Sequence, residues 1–141
     1  MKKVLFVCIH NSGRSQMAEA FAKQIGAGII EAESAGTAPA DNINPTVRQV
    51  MAEIGYDMAG QYPKMLTNEM LDQADIVVTM GCGVDFDAEN AATCPAVFVE
   101  SEDWNLEDPA NQPIEKVRQI RDEIKLKVED LVERIRRNRL P

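Results

Sequence analysis

The segment Cys8-Ile9-His10-Asn11-Ser12-Gly13-Arg14-Ser15 sets a thiol six residues ahead of a guanidinium, between an apolar run and the start of a helical pattern. A loop of that length curling into a helix start turns several backbone N–H groups inward, and the positive end of the helix dipole reinforces the nest they make. Ile9, His10, Asn11, Ser12 and Gly13 would supply backbone for the nest. Arg14 would add a planar fork matched to two oxygens of a tetrahedral oxyanion. The same donors favour thiolate over thiol, so Cys8 is expected to be a nucleophile at neutral pH. Ser15, or Ser12, can give a hydroxyl hydrogen to the sulfur, and Asn11 tolerates the left-handed backbone a tight loop needs. No step requires the imidazole of His10.

A thiolate in an anion nest serves two chemistries. With a phosphate ester, Cys8 attacks phosphorus, Asp108 protonates the leaving oxygen and water releases the phosphate, which needs one cysteine. With arsenate, two electrons are required, and they must come from a second thiol. Cys82 lies in Gly81-Cys82-Gly83, just past a predicted strand, and its flanking glycines permit movement. Cys94 follows twelve residues later, after a polar stretch, and can carry a disulfide toward the surface for exchange with an external reductant. Three cysteines do not make a structural disulfide framework. Asp108-Pro109, beyond Trp104, is a turn signal that brings Asp108 to the nest if its loop folds over it.

Positioning these groups is the work of alternating strands and helices. Val4 to Val7 reads as a strand buried on both faces, and a helix follows from Arg14 to about Ile25. Further strands are expected over Gly28 to Ser34, Asp75 to Met80 and, more weakly, Ala96 to Val99. Helices are expected from Pro45 to about Ile54, around Asn68 to Gln73, and from Ile114 through Ile135, where apolar residues recur every three or four positions. That order implies right-handed crossovers and a small α/β, doubly wound, four-stranded parallel sheet with helices on both faces. Ligands then bind beyond the carboxyl ends of the strands, so loops starting near Cys8, Ser34, Met80 and Val99 should converge.

One domain over residues 1–141 suits the length, and 45% hydrophobic with 27% charged residues is an ordinary globular composition. No apolar run is long enough to span a bilayer or serve as a signal peptide, so a cytoplasmic protein without a membrane partner is expected. A net charge of -8 argues against nucleic acid as a partner. The charge is segregated: eight acidic and no basic residues lie between Asp85 and Asp108, while from Pro113 onward nine Lys and Arg accompany six acids.

On these residues the chain resembles the thioredoxin-coupled arsenate reductases built on the low-molecular-weight protein tyrosine phosphatase fold. The likeness runs nearly end to end and rests on Cys8 with His10 through Ala20, on Ser34-Ala35-Gly36-Thr37, on Cys82, on Cys94-Pro95 and on Trp104 through Pro109. It implies that Cys8 attacks arsenate, Arg14 binds the oxyanion, Ser15 stabilises the thiolate and Asp108 assists protonation. Cys82 would then release arsenite as a Cys8–Cys82 disulfide forms, and Cys94 would take the bond over for thioredoxin, or glutaredoxin, to reduce. Some members bind potassium beside the loop; Asn11, Glu19 and Ser34 match that site by residue type, with Thr67 where an acid is usual. Gly13 stands where the phosphatases usually carry a second cysteine, which favours the reductase branch, and Ala110 where they carry an aromatic residue. Cys82 falls one place later than in the reductases, and its segment to Cys94 is longer.

Overall fold

The computed structural model describes residues 1–81 and 100–139. Its central strand, β1 (Lys2–Cys8), pairs in parallel with β2 (Ile30–Gly36) on one side and β3 (Ile76–Thr79) on the other. A fourth parallel strand, β4 (Glu100–Asp103), adds to β3, giving the order β2-β1-β3-β4. The helices are α1 (Arg14–Ile25), α2 (Pro45–Ala52), α3 (Asn68–Gln73) and α4 (Ile114–Arg139). This is the all-parallel α/β architecture expected from the alternation of elements. No helix among the described residues is long and apolar enough to cross a membrane.

Because side chains alternate along a strand, β1 serves two cores at once. Val4, Phe6 and Cys8 face the larger one, with Met17 and Phe21 of α1, Val47 and Val50 of α2, and Ile124, Val128 and Leu131 of α4. Leu5 and Val7 face the smaller one, with Ala35 and Val77, against which Met70 and Leu71 of α3 pack. A strand covered on both sides therefore carries apolar residues at every position from Val4 to Val7. Parity also decides the direction of the thiol: Cys8 points to the face on which α1 begins.

Element limits differ from the sequence expectation in instructive places. β2 is displaced two residues onward because Gly26 O accepts from both Ile29 N and Ile30 N, holding the turn until Ile30, which pairs with Lys2. Extended pairing then runs through to Gly36. α2 stops at Ala52, and Ile54, 38% exposed, lies in the turn toward Gly55. Asp75 precedes β3 and its carboxylate accepts from Lys3 N. The expected strand at 96–99 lies outside the described residues; β4 is instead the acidic run that follows. That run suits an edge, where one side of the backbone pairs and charged side chains can reach out. Glu102 takes Arg134 of α4 and the Trp104 indole, while Asp103 accepts from Thr79 Oγ1.

Candidate active site

At the carboxyl end of β1 the Cys8 thiol is buried, 4% exposed. Its sulfur lies 2.8 Å from Ser15 Oγ and accepts the Asn11 N–H at 3.2 Å. Asn11 Nδ2 in turn donates to Ser15 Oγ at 2.7 Å. With its oxygen receiving that hydrogen, the Ser15 hydroxyl can direct its own to the sulfur, and an anionic sulfur has none to give back. Both contacts therefore put a hydrogen-bond donor on the sulfur. Ser15 rather than Ser12 is the hydroxyl involved. Asn11 adopts φ 51°, the left-handed conformation its residue type allows.

Every carbonyl of the loop is bound on its outer side. Ile9 O, His10 O and Ser12 O accept from Ala38 N, Ala40 N and Asn44 N at 2.8 to 2.9 Å. Asn11 O accepts from Gln16 Nε2, and Gly13 O from Met17 N in the first turn of α1. The peptide bonds are all trans, so each N–H opposes the preceding carbonyl. The amides of His10, Asn11, Ser12, Gly13 and Arg14 consequently turn inward, as the Asn11 N–H to sulfur contact demonstrates. The N-cap of α1 is Gly13, with no side-chain cap and no acid in the first turn, leaving the positive helix end facing the nest. Gly36 is needed for the close crossing of β2 behind this loop: a Cβ there would stand 2.6 Å from Ile9 O.

Arg14 is 7% exposed and binds two neutral carbonyls through Nη1, Met80 O at 2.7 Å and Leu106 O at 2.9 Å. No carboxylate among the described residues pairs with it. The Nε–Nη2 edge, uncommitted among those residues, is the fork that can take two oxyanion oxygens. These bonds also show the predicted convergence of loops, except that the fourth loop leaves the sheet after Asp103, not Val99. Asp108 is exposed, and its Oδ1 accepts from Ala110 N at 2.9 Å. Pro109 is buried against the nest, its Cγ 2.8 Å from where a Cβ on Gly13 would lie. Position 13 thus has no room for a side chain, a cysteine included, unless Pro109 moves.

Cys82 and Cys94 lie outside the described residues. The chain leading to Cys82 is anchored at the nest: Met80 O holds Arg14, and Gly81, at φ 80°, donates its N–H to Asp103 Oδ1 at 2.6 Å. The residues matching a potassium site are arranged differently from an open cation cage. Asn11 Oδ1 already accepts from Gln16 Nε2 and Lys64 N, and Glu19 takes the Ser34 hydroxyl. The Glu19 carboxylate is also paired with two ammonium groups, Lys23 Nζ at 2.6 Å and Lys64 Nζ at 3.7 Å. Thr67 Oγ1 caps α3. This donor set does not fit potassium, whose charge the two lysines already supply.

Sequence reading missed three contributors. Buried Gln16 and half-buried Gln61 form an amide pair behind the loop, Lys64 N holds Asn11 Oδ1, and the Met80 and Leu106 carbonyls seat Arg14. Backbone groups leave no mark in residue type. The one available signal was Gln16, a polar residue adjoining Met17 on a helix whose residues from Arg14 to Ala22 are all buried.

A thiol at the base of inward amides, faced by a guanidinium without a counter-ion among the described residues, defines an oxyanion-processing enzyme site of the cysteine-nucleophile class. The family model described as low molecular weight phosphotyrosine protein phosphatase matches residues 3–140, and the chain belongs to that family. Among curated relatives it is 43% identical to the "Glutaredoxin arsenate reductase" of Synechocystis, over 96% of this chain and 99% of that one. Among solved structures it resembles an arsenate reductase in the phosphate binding state, with TM-score 0.81 and 42% identity, covering 96% of this chain and 99% of that one. It also resembles the thioredoxin-dependent arsenate reductase of Corynebacterium glutamicum, with TM-score 0.80 and 34% identity, over 99% of this chain and 64% of that one.

Proposed function

We propose that this protein is an arsenate reductase in which Cys8 is the nucleophile, Arg14 and the inward amides from His10 to Arg14 hold the oxyanion, and Cys82 and Cys94 complete a thiol relay. The observation that carries the reading is the sulfur of Cys8, given two hydrogen-bond donors at the floor of a nest whose positive charge no described carboxylate offsets. The Cys8 thiolate attacks arsenic and an oxygen leaves as water, taking a proton from Asp108. The Cys82 thiolate then attacks Cys8 Sγ; the S–As bond breaks, its electron pair stays on arsenic, and arsenite departs from a Cys8–Cys82 disulfide. Cys94 attacks Cys82 and frees Cys8. An external dithiol protein, thioredoxin or glutaredoxin, reduces the Cys82–Cys94 bond. Such a cycle belongs in a reducing compartment, the cytoplasm. The anchoring of Met80 and Gly81 at the nest supports the approach of Cys82.

The family's phosphatase chemistry is the second reading, favoured by the packing of Pro109 on Gly13, which holds Asp108 beside the nest. Steady-state assays separate them. Arsenate reduction coupled to thioredoxin, or to glutaredoxin with glutathione, is expected over many turnovers and is lost in Cys82→Ser. Efficient hydrolysis of an aryl phosphate with no arsenate turnover, unaffected by Cys82→Ser, would replace the reductase reading with the phosphatase one.

A further inference from the structure

Behind the nest, Gln16 is fully buried and makes contacts that the proposed chemistry does not use. Its Nε2 donates toward three acceptors: Asn11 O at 3.0 Å, Asn11 Oδ1 at 3.0 Å and Tyr62 O at 2.9 Å. Its Oε1 accepts from Gln61 Nε2 at 2.8 Å, and the same Nε2 reaches Gln16 O at 3.0 Å. The amide of Gln16 thus has one workable orientation: nitrogen toward three oxygens, oxygen toward a donor.

The orientation is passed on. Asn11 has two ways to place its amide, and they differ in what Ser15 meets. With Nδ2 toward Ser15, as observed, the hydroxyl hydrogen is released toward sulfur. With the amide reversed, Oδ1 would accept that hydrogen and withdraw it from Cys8. Gln16 Nε2 and Lys64 N both point at Oδ1, so the reversed form would set a nitrogen against two donors where Asn11 and Gln16 are both fully buried. Gln16 also holds Asn11 O outward, which turns the Ser12 amide into the nest.

We infer that Gln16 is a positioning residue for the nucleophile: braced by Gln61 and Tyr62 O, it fixes the Asn11 amide so that Ser15 donates to Cys8 and the sulfur is kept as an anion. The inference rests on Cys8 being the nucleophile but not on the identity of the substrate. The test is the pH profile of Cys8 alkylation by iodoacetamide in the full chain, with modification at Cys8 read by peptide mass spectrometry. Gln16→Met keeps the length of the side chain and removes every hydrogen bond that side chain makes. One lost buried hydrogen bond to the sulfur is expected to make alkylation near pH 6 about tenfold slower. The two rates should converge as the pH rises past the ordinary thiol value of about 8.5. Gln61→Met removes only the brace and should shift the midpoint the same way by a smaller amount.

An unfolded or loosened variant would change the plateau rate; a mispositioned donor moves the midpoint alone. Gln16→Met with a cooperative melt and an unshifted midpoint would overturn the inference. If Gln16→Met does not fold, Gln61→Met decides: an upward shift sustains it and an unchanged midpoint overturns it. Because alkylation involves neither arsenate nor a reductant, a shifted midpoint with no arsenate turnover would sink the proposed activity and leave this inference standing.

Discussion

Two buried arginines make opposite use of their charge. Arg121, on α4, is 8% exposed and fully answered: Val50 O accepts at 2.9 Å, Glu53 Oε1 at 3.2 Å and Asp122 Oδ1 at 2.9 Å. Arg14, at 7%, meets two carbonyl oxygens and no carboxylate among the described residues, and stands at the positive end of α1, where a cation is least welcome. A buried charge left without a counter-ion costs stability, so its presence marks a place where another molecule supplies the missing charge. Arg121 ties α4 to α2; Arg14 awaits an anion.

Exchanging the two arginines' fates sharpens that contrast. Arg14→Leu should lower turnover on the order of 10³-fold, because an electrostatic clamp on the reacting oxyanion disappears. Phosphate should raise the Tm of the parent and leave that of the variant unmoved, which calorimetry with and without phosphate reads directly. Gly13→Ala should lower kcat about tenfold to a hundredfold by pushing Pro109, and with it the segment from Leu106 to Asp108, off the nest. Arg121→Ala should leave kcat unchanged and cost about 1 to 2 kcal/mol of stability by denaturant titration, through the lost bonds to Val50 O and Glu53, whose carboxylate keeps Arg118.

The smallest effect concerns a third arginine. Arg134, hydrogen-bonded to Glu102, holds that carboxyl below its usual 4.5, against a partial burial that raises it. A depressed folded value contributes stability above about pH 4.5 that is lost as pH falls through the lower folded value. Glu102→Gln should therefore cost about 1 kcal/mol or less near neutrality, since the pair is partly solvated. The difference from the parent should vanish in acid. A variant equally destabilised at pH 7 and pH 2 would show that packing, not charge, is what Glu102 provides.

Much of this was readable from residue order. The apolar run at Val4 and the periodicity from Arg14 to Ile25 located β1 and α1, and with them the loop carrying Cys8, Arg14 and Ser15. The β4 strand escaped because Glu100-Ser101-Glu102-Asp103 has none of the apolar alternation by which strands are recognised; its partners are a ladder on one side and Arg134. The supports of the nest escaped for a different reason. Ala38 N, Ala40 N, Asn44 N and Lys64 N act through the backbone, and any residue but proline offers the same hydrogen. Potassium was suggested by residue types at Asn11, Glu19 and Ser34, but Glu19 is paired with Lys23, one turn along α1, and with Lys64, which comes near it only in space.

The strap from Ala38 to Asn44 that grips the outside of the loop has a further consequence. A mould set before its guest arrives responds to shape and charge, and on those counts phosphate and arsenate are near twins. In the proposed reaction discrimination falls after entry, when the bond from sulfur to the central atom breaks: arsenic can keep that electron pair and leave reduced, and phosphorus cannot. Phosphate is thus expected to compete with arsenate for the nest, and the more of it surrounds the protein the slower arsenate should turn over.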